Sequence, residues 1–347
     1  MDIADFDYEL PPELIAQEPL PERDASRLLV LDRATGAFRD DAFRSLPDLL
    51  SPGDLLVVNR SRVFPARLLG RRRNGGAAEV LLLKPLAADQ TEWEALLRPG
   101  RRLRVADTVV VADDDLTVTV ESDALGADGR RRVRLTARHE TADAAIRRLG
   151  HTPLPPYVKR PDRPADRERY QTIYAREEGS VAAPTAGLHF TEALLRRLDS
   201  RGIERAEVVL HVGPGTFRPV EAKRVEDHRV ESEAFVVPEG TAVAVRRTRA
   251  RGGRVVAVGT TTVRALESAA RDDGTVAATE GATERVIVPG FHFRAVDALL
   301  TNFHLPRSSL LLLVAAFVGR ERILAAYAAA ARRGYRFYSY GDAMLLL

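Results

Sequence analysis

Short apolar runs predict the first elements of the chain. Arg27–Leu31 and Asp54–Asn59 are rich in Leu and Val, which is typical of strands, and the second strand is expected to be buried. Between them we predict a short helix over Asp41–Leu50, ended by the turn signal Ser51–Asp54, in which Pro and Gly stand side by side.

The pattern changes between residues 67 and 137, where short apolar stretches alternate with clusters of Gly, Pro and Asp. These stretches are Ala78–Leu83, Trp93–Leu97, Thr108–Val111, Leu116–Val120 and Arg132–Thr136. Several short strands at this spacing indicate a small β-barrel or sandwich. A helix over Ala142–Leu149 follows, and the Pro-rich segment His151–Tyr157 then forms a rigid, extended connector.

Beyond the connector, helical and strand patterns alternate. The predicted helices are Phe190–Ser200, Thr241–Arg249, Thr260–Arg271 and a pair within Ser308–Arg333, and the predicted strands are Glu207–Val212, Arg254–Val258 and Tyr335–Tyr340. This alternation is typical of an α/β fold. We therefore predict a two-domain α/β protein. Its α/β core is built from residues 1–66 plus 151–347, and a small β-barrel domain is inserted at residues 67–150.

The positions of the basic residues indicate more about function than the net charge of the chain does. The formal net charge is +3, and nearly all basic residues are Arg, as codon bias in a GC-rich genome would produce. Arg residues nevertheless cluster on the predicted barrel and its edges, at positions 71–73, 98–104, 130–134 and 160–169. A basic face on a small β domain is typical of RNA binding, and a solvated face is the alternative.

Composition excludes several classes of protein. The chain has no Cys, which excludes disulfides, thiolate metal sites and a Cys nucleophile. The longest apolar run, Leu310–Val318, is far shorter than the ~20 residues of a membrane span. The first residues are acidic and carry no apolar core, so we expect no signal peptide in this segment. We expect a cytoplasmic, monomeric protein.

Neither metal nor serine chemistry is indicated. The seven His residues form no H-E-x-x-H motif, and Glu226-Asp227-His228 lacks the spacing of metal ligands. No G-x-S-x-G nucleophile elbow occurs. We therefore expect no metal.

Five segments in the second half of the chain combine small residues with a His or Arg. They are Ala183–Phe190, His211–Phe217, Glu226–His228, Gly259–Arg264 and Thr301–Pro306. Small residues let a backbone approach a ligand closely, and a neighbouring His can titrate near neutral pH. Five such segments in one chain indicate an active site assembled from loops.

The segment from Gly253 to Thr262 predicts a strand, a tight turn and a helix N-terminus. Free N–H groups there favour an anion or the hydroxyls of a nucleoside. Arg264 can reach back over this site, and Glu267 lies on the same helix face. The alternative is a Thr cap with a surface Arg–Glu pair. The segment matches neither a P-loop nor a dinucleotide G-x-G-x-x-G motif.

Two His residues are candidates for the chemistry. His211 follows a strand, at the carboxyl end of the sheet where α/β proteins bind ligands, and His189 precedes a helix. Each has a structural alternative, since a His can be bonded by turn carbonyls or be exposed at a helix start. Phe303 is either a stacking platform or part of the core.

Together these segments resemble the S-adenosylmethionine:tRNA ribosyltransferase-isomerases, a family of queuosine-pathway enzymes. The resemblance covers nearly the whole chain, and Ala183–Phe190 and Thr301–Pro306 are its most specific parts. Further matching segments are Asp5-Phe6, Glu9–Pro11, Ile15–Gln17, Pro21–Arg23, Arg27–Leu29, Pro52–Leu56, Asn59, Arg62–Arg67 and Phe337–Met344.

The resemblance implies the fold predicted above and an unusual use of S-adenosylmethionine. The ribosyl group, rather than the methyl group, would be transferred to 7-aminomethyl-7-deazaguanine at the wobble position of tRNA. The product would be epoxyqueuosine-tRNA, with release of adenine and methionine. A base must remove a C5′ proton beside the sulfonium, and an acid should protonate the departing adenine.

Spacing and resemblance together assign expected roles. His189 and His211 are the candidate base and acid, in either order, and Glu267 and Asp342 would orient an imidazole or hold the substrate amine. The expected S-adenosylmethionine contacts are Thr185, Ala186, Gly187, Phe217, Gly259, Thr260, Thr261, Arg264, Phe303, His304 and Tyr340, with Phe217, Phe303 and Tyr340 facing the sulfonium. The expected tRNA contacts are Arg62, Arg67, Arg101, Arg102, Lys159 and Arg160.

Two other functions remain open at this point. A conventional RNA methyltransferase would share both substrates, but no acidic-x-Gly-x-Gly loop follows an early strand, and Gly213-Pro214-Gly215 comes late and contains Pro. An RNA-binding module built on the basic barrel would leave the His, Thr and Gly segments of the core unexplained.

Overall fold

A large mixed sheet forms the core of the protein. The computed structural model describes residues 1–125, 128–217 and 220–347, apart from the side chain of Phe217. The nine strands of the sheet follow the order β15-β13-β12-β3-β14-β16-β17-β1-β2. Their bounds are β1 Arg27–Leu31, β2 Phe38–Ala42, β3 Leu55–Asn59, β12 Glu204–Leu210, β13 Glu233–Val237, β14 Val255–Val258, β15 Thr279–Thr283, β16 Ala298–Asn302 and β17 Ala343–Leu346.

Six antiparallel strands close into a barrel in the order β10-β7-β6-β5-β8-β9. They are β5 Arg67–Arg72, β6 Ala77–Pro85, β7 Glu92–Arg98, β8 Thr108–Val111, β9 Leu116–Val120 and β10 Arg131–Ala137. Alternate residues of each strand point inward, and Trp93, Val118 and Val133 are among those that fill the interior. A short parallel pair, β4 Ser61–Val63 and β11 Glu177–Ser180, lies outside both the barrel and the large sheet.

Most of the helices cover the two faces of the large sheet, whereas the helix over Ala142–Leu149 packs on the barrel. The helices are α1 Leu46–Leu49, α2 Ala142–Leu149, α3 Asp166–Arg169, α4 Glu192–Ser200, α5 Glu239–Ala250, α6 Thr260–Ala269, α7 Ser309–Val318 and α8 Arg320–Arg332. Along β3, Leu55 and Val57 pack on the side of α6, α7 and α8, whereas Leu56 and Val58 pack on the side of α4. Burial on both faces explains why the central strands are continuous apolar runs.

The large sheet places several strand ends at one edge. β3 runs parallel to β12 and β14, and β14 runs parallel to β16. The carboxyl ends of these four strands therefore lie side by side, which is where α/β proteins bind ligands.

The fold class predicted from the sequence is confirmed, since strands from both ends of the chain form the core and a closed barrel is inserted between them. The limits at residues 67 and 150 remain a prediction about the domains. No helix among the described residues is long and apolar enough to span a membrane.

Two predicted elements were misplaced. Tyr335–Tyr340 was expected to be a strand, but the last strand is Ala343–Leu346. Tyr338 has φ +70°, which no extended strand accommodates. The segment predicted as a helix over Asp41–Leu50 begins as the end of β2, passes through one turn of 3-10 helix and finishes as α1.

Candidate functional site

A narrow slot of about 50 Å³ lies at the carboxyl ends of the parallel strands. Its walls come from Ala183–Ala186, from Gly259–Thr261 after β14, and from Thr301–Leu305 at the end of β16. Two of the most specific sequence segments thus meet at one place, together with the start of α6. Of the predicted S-adenosylmethionine contacts, seven line the slot: Thr185, Ala186, Gly259, Thr260, Thr261, Phe303 and His304. Gly187 does not line it and instead lies against Thr172 and Tyr174.

Gly259 shapes the floor of the slot. It is the residue before α6 and has φ +87°, a conformation that side-chain-bearing residues rarely adopt. A Cβ at this position would lie 3.6 Å from the Cβ of Ala186. The tight turn directs the N-terminus of the ten-residue α6, with Thr260 and Thr261, toward the slot. Such an N-terminus favours a negatively charged group.

His189 is buried behind the slot and has partners at both ring nitrogens. Its Nδ1 lies 2.8 Å from Ser26 Oγ, and its Nε2 lies 3.0 Å from Asn302 Nδ2. Because the Asn302 amide donates, Nε2 accepts and Nδ1 carries the proton. Burial, followed by the charges of Arg23 and Arg336, lowers the pKa of His189 to about 3. The ring is therefore neutral at physiological pH.

Asn302 connects this histidine to the slot. Its Oδ1 accepts a hydrogen bond from Thr185 Oγ1 at 3.0 Å, and Thr185 lines the slot. Ser26, His189, Asn302 and Thr185 thus form one hydrogen-bonded chain. Sequence reasoning missed Ser26, which lies 163 positions from His189 and carries no local signal.

Two stacked aromatic rings form another wall. The rings of Tyr157 and Tyr338 lie 4.5 Å apart at an interplanar angle of 21°, and both residues line the slot. Tyr338 has a positive φ, and a strained residue at a cavity is typical of functional sites. The Tyr157 hydroxyl is hydrogen-bonded to Ser339. Tyr157 lies in the predicted connector, whose Pro residues predicted a rigid segment but gave no signal for the role of this ring.

A larger cavity of about 550 Å³ adjoins the slot, and both are lined by Thr216 and Leu310. Its volume is within the range of small-molecule sites. Asp227 and His228, from one of the five segments found in the sequence, line this larger cavity. His228 Nε2 lies 2.8 Å from Ser309 Oγ.

A buried ion pair holds the turn between the two cavities. Glu233 accepts hydrogen bonds from the Gly213 amide at 2.9 Å and the Thr216 hydroxyl at 3.4 Å, and it also pairs with Arg264. Arg264 further donates to the carbonyl groups of Arg285 and Thr283. The guanidinium predicted to contact S-adenosylmethionine is therefore engaged with the protein itself, at the edge of the larger cavity.

His211 is not joined to His189. It follows β12 and lines neither of the two adjoining cavities. Its ring packs against Gly179, where a Cβ would come within 2.8 Å of the ring. Its buried Nδ1 has no hydrogen-bond partner among the described residues, and burial lowers its pKa. The structure thus separates the two histidines: both ring nitrogens of His189 are bonded, whereas His211 keeps an unpaired nitrogen outside the two cavities.

The two carboxylates expected near an imidazole hold loops instead. Glu267 accepts hydrogen bonds from the amides of Arg294, Ala295 and Val296 at 3.0–3.1 Å. Asp342 accepts from the amides of Arg27 and Arg336 at 2.9 and 2.8 Å. Burial raises the pKa of both groups.

The predicted aromatic contacts are divided among several surroundings. Phe303 borders the slot, but it also packs in the core against Tyr327, Tyr335 and Phe337. Tyr340 lies beside His189 in a separate small cavity, and its hydroxyl donates to Asp166. The Phe217 side chain lies outside the described residues.

The predicted tRNA contacts also divide. Arg67 pairs with Glu79 at 2.9 Å, Arg62 lies 3.8 Å from Glu178, and Arg160 forms two bonds to Asp166. The side chains of Arg101, Arg102 and Lys159 are exposed. No group of three or more potential metal ligands was found within the described residues.

A family model described as queuosine biosynthesis protein matches residues 3–346. The chain belongs to this family. Similar proteins named S-adenosylmethionine:tRNA ribosyltransferase-isomerase include one from Anaeromyxobacter sp. (strain Fw109-5), 55% identical over 100% of this chain and 99% of the relative. Another, from Moorella thermoacetica, is 52% identical over the full length of both proteins.

Family membership extends to the fold. The crystal structure of S-adenosylmethionine tRNA ribosyltransferase from Thermotoga maritima is 41% identical to this chain, with a TM-score of 0.56. The match covers 99% of this chain and 100% of that one. Both the family match and the structural match therefore cover the core as well as the barrel.

Proposed function

We propose that this protein transfers and isomerises the ribosyl group of S-adenosylmethionine onto 7-aminomethyl-7-deazaguanine at the tRNA wobble position. The products would be epoxyqueuosine-tRNA, adenine and methionine. The observation that carries this proposal beyond the names of the relatives is the slot and the larger cavity, which adjoin at Thr216 and Leu310. A reaction between a nucleoside cofactor and a nucleobase requires two adjoining sites.

The slot has features that suit S-adenosylmethionine. The N-terminus of α6 at Gly259–Thr261 would attract the methionine carboxylate, and the hydroxyls there can bond a ribose. The stacked Tyr157 and Tyr338 rings would face the sulfonium, a contact worth about 0.5–2 kcal/mol. At about 50 Å³ the slot admits only part of the molecule, so the rest would extend into the larger cavity.

The larger cavity would receive the RNA base. An enzyme that reacts with a base in a nucleic acid extrudes that base into a pocket. Asp227 lies in the cavity wall, and its carboxylate forms no hydrogen bond or ion pair with the described residues. It would accept hydrogen bonds from the aminomethyl ammonium or from the amide edge of the deazaguanine.

His211 is our candidate for the base that removes the C5′ proton, a role that requires its ring to reach the slot from outside both cavities. Adenine would depart with a proton from an acid, and the sulfonium would later leave as the neutral thioether of methionine. His189 would act through Asn302 and Thr185, since both of its ring nitrogens are already bonded. Glu267 and Asp342 would fix the loops around the site. We further propose a monomeric cytoplasmic enzyme that uses no metal.

The test uses S-adenosylmethionine labelled either in the ribose or in the methyl group. One tRNA carries 7-aminomethyl-7-deazaguanine at the wobble position, and a matched control carries guanine there. We expect ribose label in the modified tRNA alone, with one adenine released per label. Methyl label in the RNA would identify a methyltransferase instead. Intact cofactor with tRNA still bound would leave only an RNA-binding protein.

A further inference from the structure

Ion pairing divides the arginines of the barrel into two groups. Arg67, Arg130 and Arg134 have carboxylate partners on neighbouring strands. No such partner was found among the described residues for Arg71, Arg72, Arg73, Arg98, Arg101, Arg102 and Arg104. The positive charge of the second group is available to a partner.

Part of this second group surrounds a concave surface of about 320 Å³, which we call the arginine end. Arg72, Arg73 and Arg102 contribute to its wall, together with Asn74 and residues 106–108. The one carboxylate in this wall, Asp107, accepts a hydrogen bond from the Arg104 amide at 2.7 Å. The local charge is therefore strongly positive.

The arginine end is held in shape by the fold. Arg131 donates to the carbonyls of Gly100 and Leu103, and so it fixes the turn that carries Arg102. Arg73 Nε donates to Thr108 Oγ1 at 2.9 Å. Arg72 bends over Gly76, where a Cβ would lie 2.2 Å from its guanidinium. A preorganised cluster of cations loses less entropy on binding than free surface side chains do.

Strand register relates the arginine end to the core. Arg72 pairs with Val109, Thr108 pairs with Thr119, and Val120 pairs with Val133. The end of β5 and the hairpin between β9 and β10 therefore lie at the same end of the barrel. Asp128 of that hairpin lines the larger cavity of the core. The arginine end and the hairpin that reaches the larger cavity thus share one end of the barrel.

We propose that the arginine end binds the phosphodiester backbone of the tRNA substrate. The inference rests on the proposed function in that tRNA is taken as the substrate. Arginine guanidinium groups bind phosphate through paired N–H donors, and neutralising several phosphates makes RNA affinity strongly dependent on salt. Backbone contacts of this kind orient a nucleic acid without reading its sequence.

The experiment compares two triple variants with the same loss of charge. Arg72→Gln/Arg73→Gln/Arg102→Gln removes the arginine end, and Arg134→Gln/Arg147→Gln/Arg148→Gln removes arginines that have carboxylate partners. Binding of a tRNA transcript is measured over a range of salt concentrations. We expect the first variant to bind at least about tenfold more weakly and to lose about two to three units of salt slope. The control variant should resemble the wild type.

Thermal unfolding of both variants checks that they are folded. Equal loss of affinity in the two variants, or an unchanged salt slope in the first, would overturn the proposal. Ribosyl transfer is followed in parallel with the labelled cofactor. If the first variant binds tRNA as the wild type does and still transfers ribose label, only the role of the arginine end is rejected. If the wild-type protein binds tRNA but transfers no ribose label, only the proposed function is rejected. Weaker binding of phosphatidylserine vesicles, with tRNA binding unchanged, would favour a membrane surface and would also overturn the proposal.

Discussion

At the scale of single residues, the site consists of polar groups that bond one another before any substrate arrives. Asn302 is central, since it donates to His189 and accepts from Thr185. His189 is neutral and buried, and His211 keeps an unpaired nitrogen. The two histidines that look equivalent in the sequence therefore have different capacities for proton transfer.

His189→Ala and His211→Ala are each expected to lower kcat/KM at least about tenfold, since a positioned acid or base contributes ~10²–10⁴-fold. His211→Ala should also remove the acidic limb of the pH–rate profile. Burial lowers the pKa of His211, so in the wild type this base becomes protonated and inactive only at a pH below the usual pKa of histidine. The exposed His139 is a matched control, and His139→Ala should be normal. Near-normal activity of both site variants would refute these roles.

Acidification should destabilise the protein through its buried histidines. Burial lowers the pKa of His304 to about 3 from 6.5, as it does for His189. The unfolded chain binds a proton at each ring as the pH falls below 6.5, while the folded chain does not, so unfolding is favoured. Each ring contributes a decrease of about 1.4 kcal/mol per pH unit.

Urea unfolding between about pH 5.5 and pH 4, which lies between the unfolded and folded pKa values, measures this slope. In His304→Gln, the dependence of the free energy of unfolding on pH should be smaller by about 1.4 kcal/mol per pH unit. An unchanged slope would mean that His304 can be protonated within the folded protein.

At the scale of elements, the sequence predicted β3, β14 and most of the longer helices, but it missed β16, misplaced β17 and could not show the pairing of side chains. The apolar runs of β3 and β14 are explicit in the sequence because both faces are buried. Arg264 was expected to contact a ligand, yet it donates a hydrogen bond to Glu233, 31 positions away, and forms an ion pair with it. Strand β13, which carries Glu233, was not among the predicted strands, and its pairing with α6 follows only from the fold.

The turn into α6 gives a prediction at this scale. Gly259→Ala should destabilise the protein by about 1–2 kcal/mol, because a Cβ is strained at φ +87°. It should also raise the KM for S-adenosylmethionine, since the turn forms the slot. Gly240 in α5 is the control, because it has open space and no positive φ. Gly240→Ala should be neutral or stabilising, and equal loss in both variants would contradict the argument.

At the scale of the whole molecule, the core depends on both ends of the chain. Strand β17 lies between β16 and β1, and its residues Ala343–Leu346 are fully buried. Through β17, the N-terminal strands β1 and β2 join the rest of the sheet. The segments before and after the barrel therefore cannot be separated without breaking the sheet, because both contribute strands to it.

A variant ending at Asp342 should fail to unfold cooperatively, because β1 and β2 lose their attachment to the sheet. Met344→Ala is the comparison, since it keeps the strand and removes one buried side chain. It should cost about 2–5 kcal/mol and remain folded. Calorimetry distinguishes the two, and a truncated protein with a wild-type transition would contradict the role of β17.

The position of β17 also bears on how the protein is made. Translation proceeds from the N-terminal end, and domains fold as they emerge from the ribosome. The closed barrel, complete by Ala137, can form while synthesis continues. The central sheet must wait for β17, which is synthesised after all of its other strands. In an incomplete nascent chain, the basic barrel would then be folded and exposed to RNA before the core that carries the candidate site had formed.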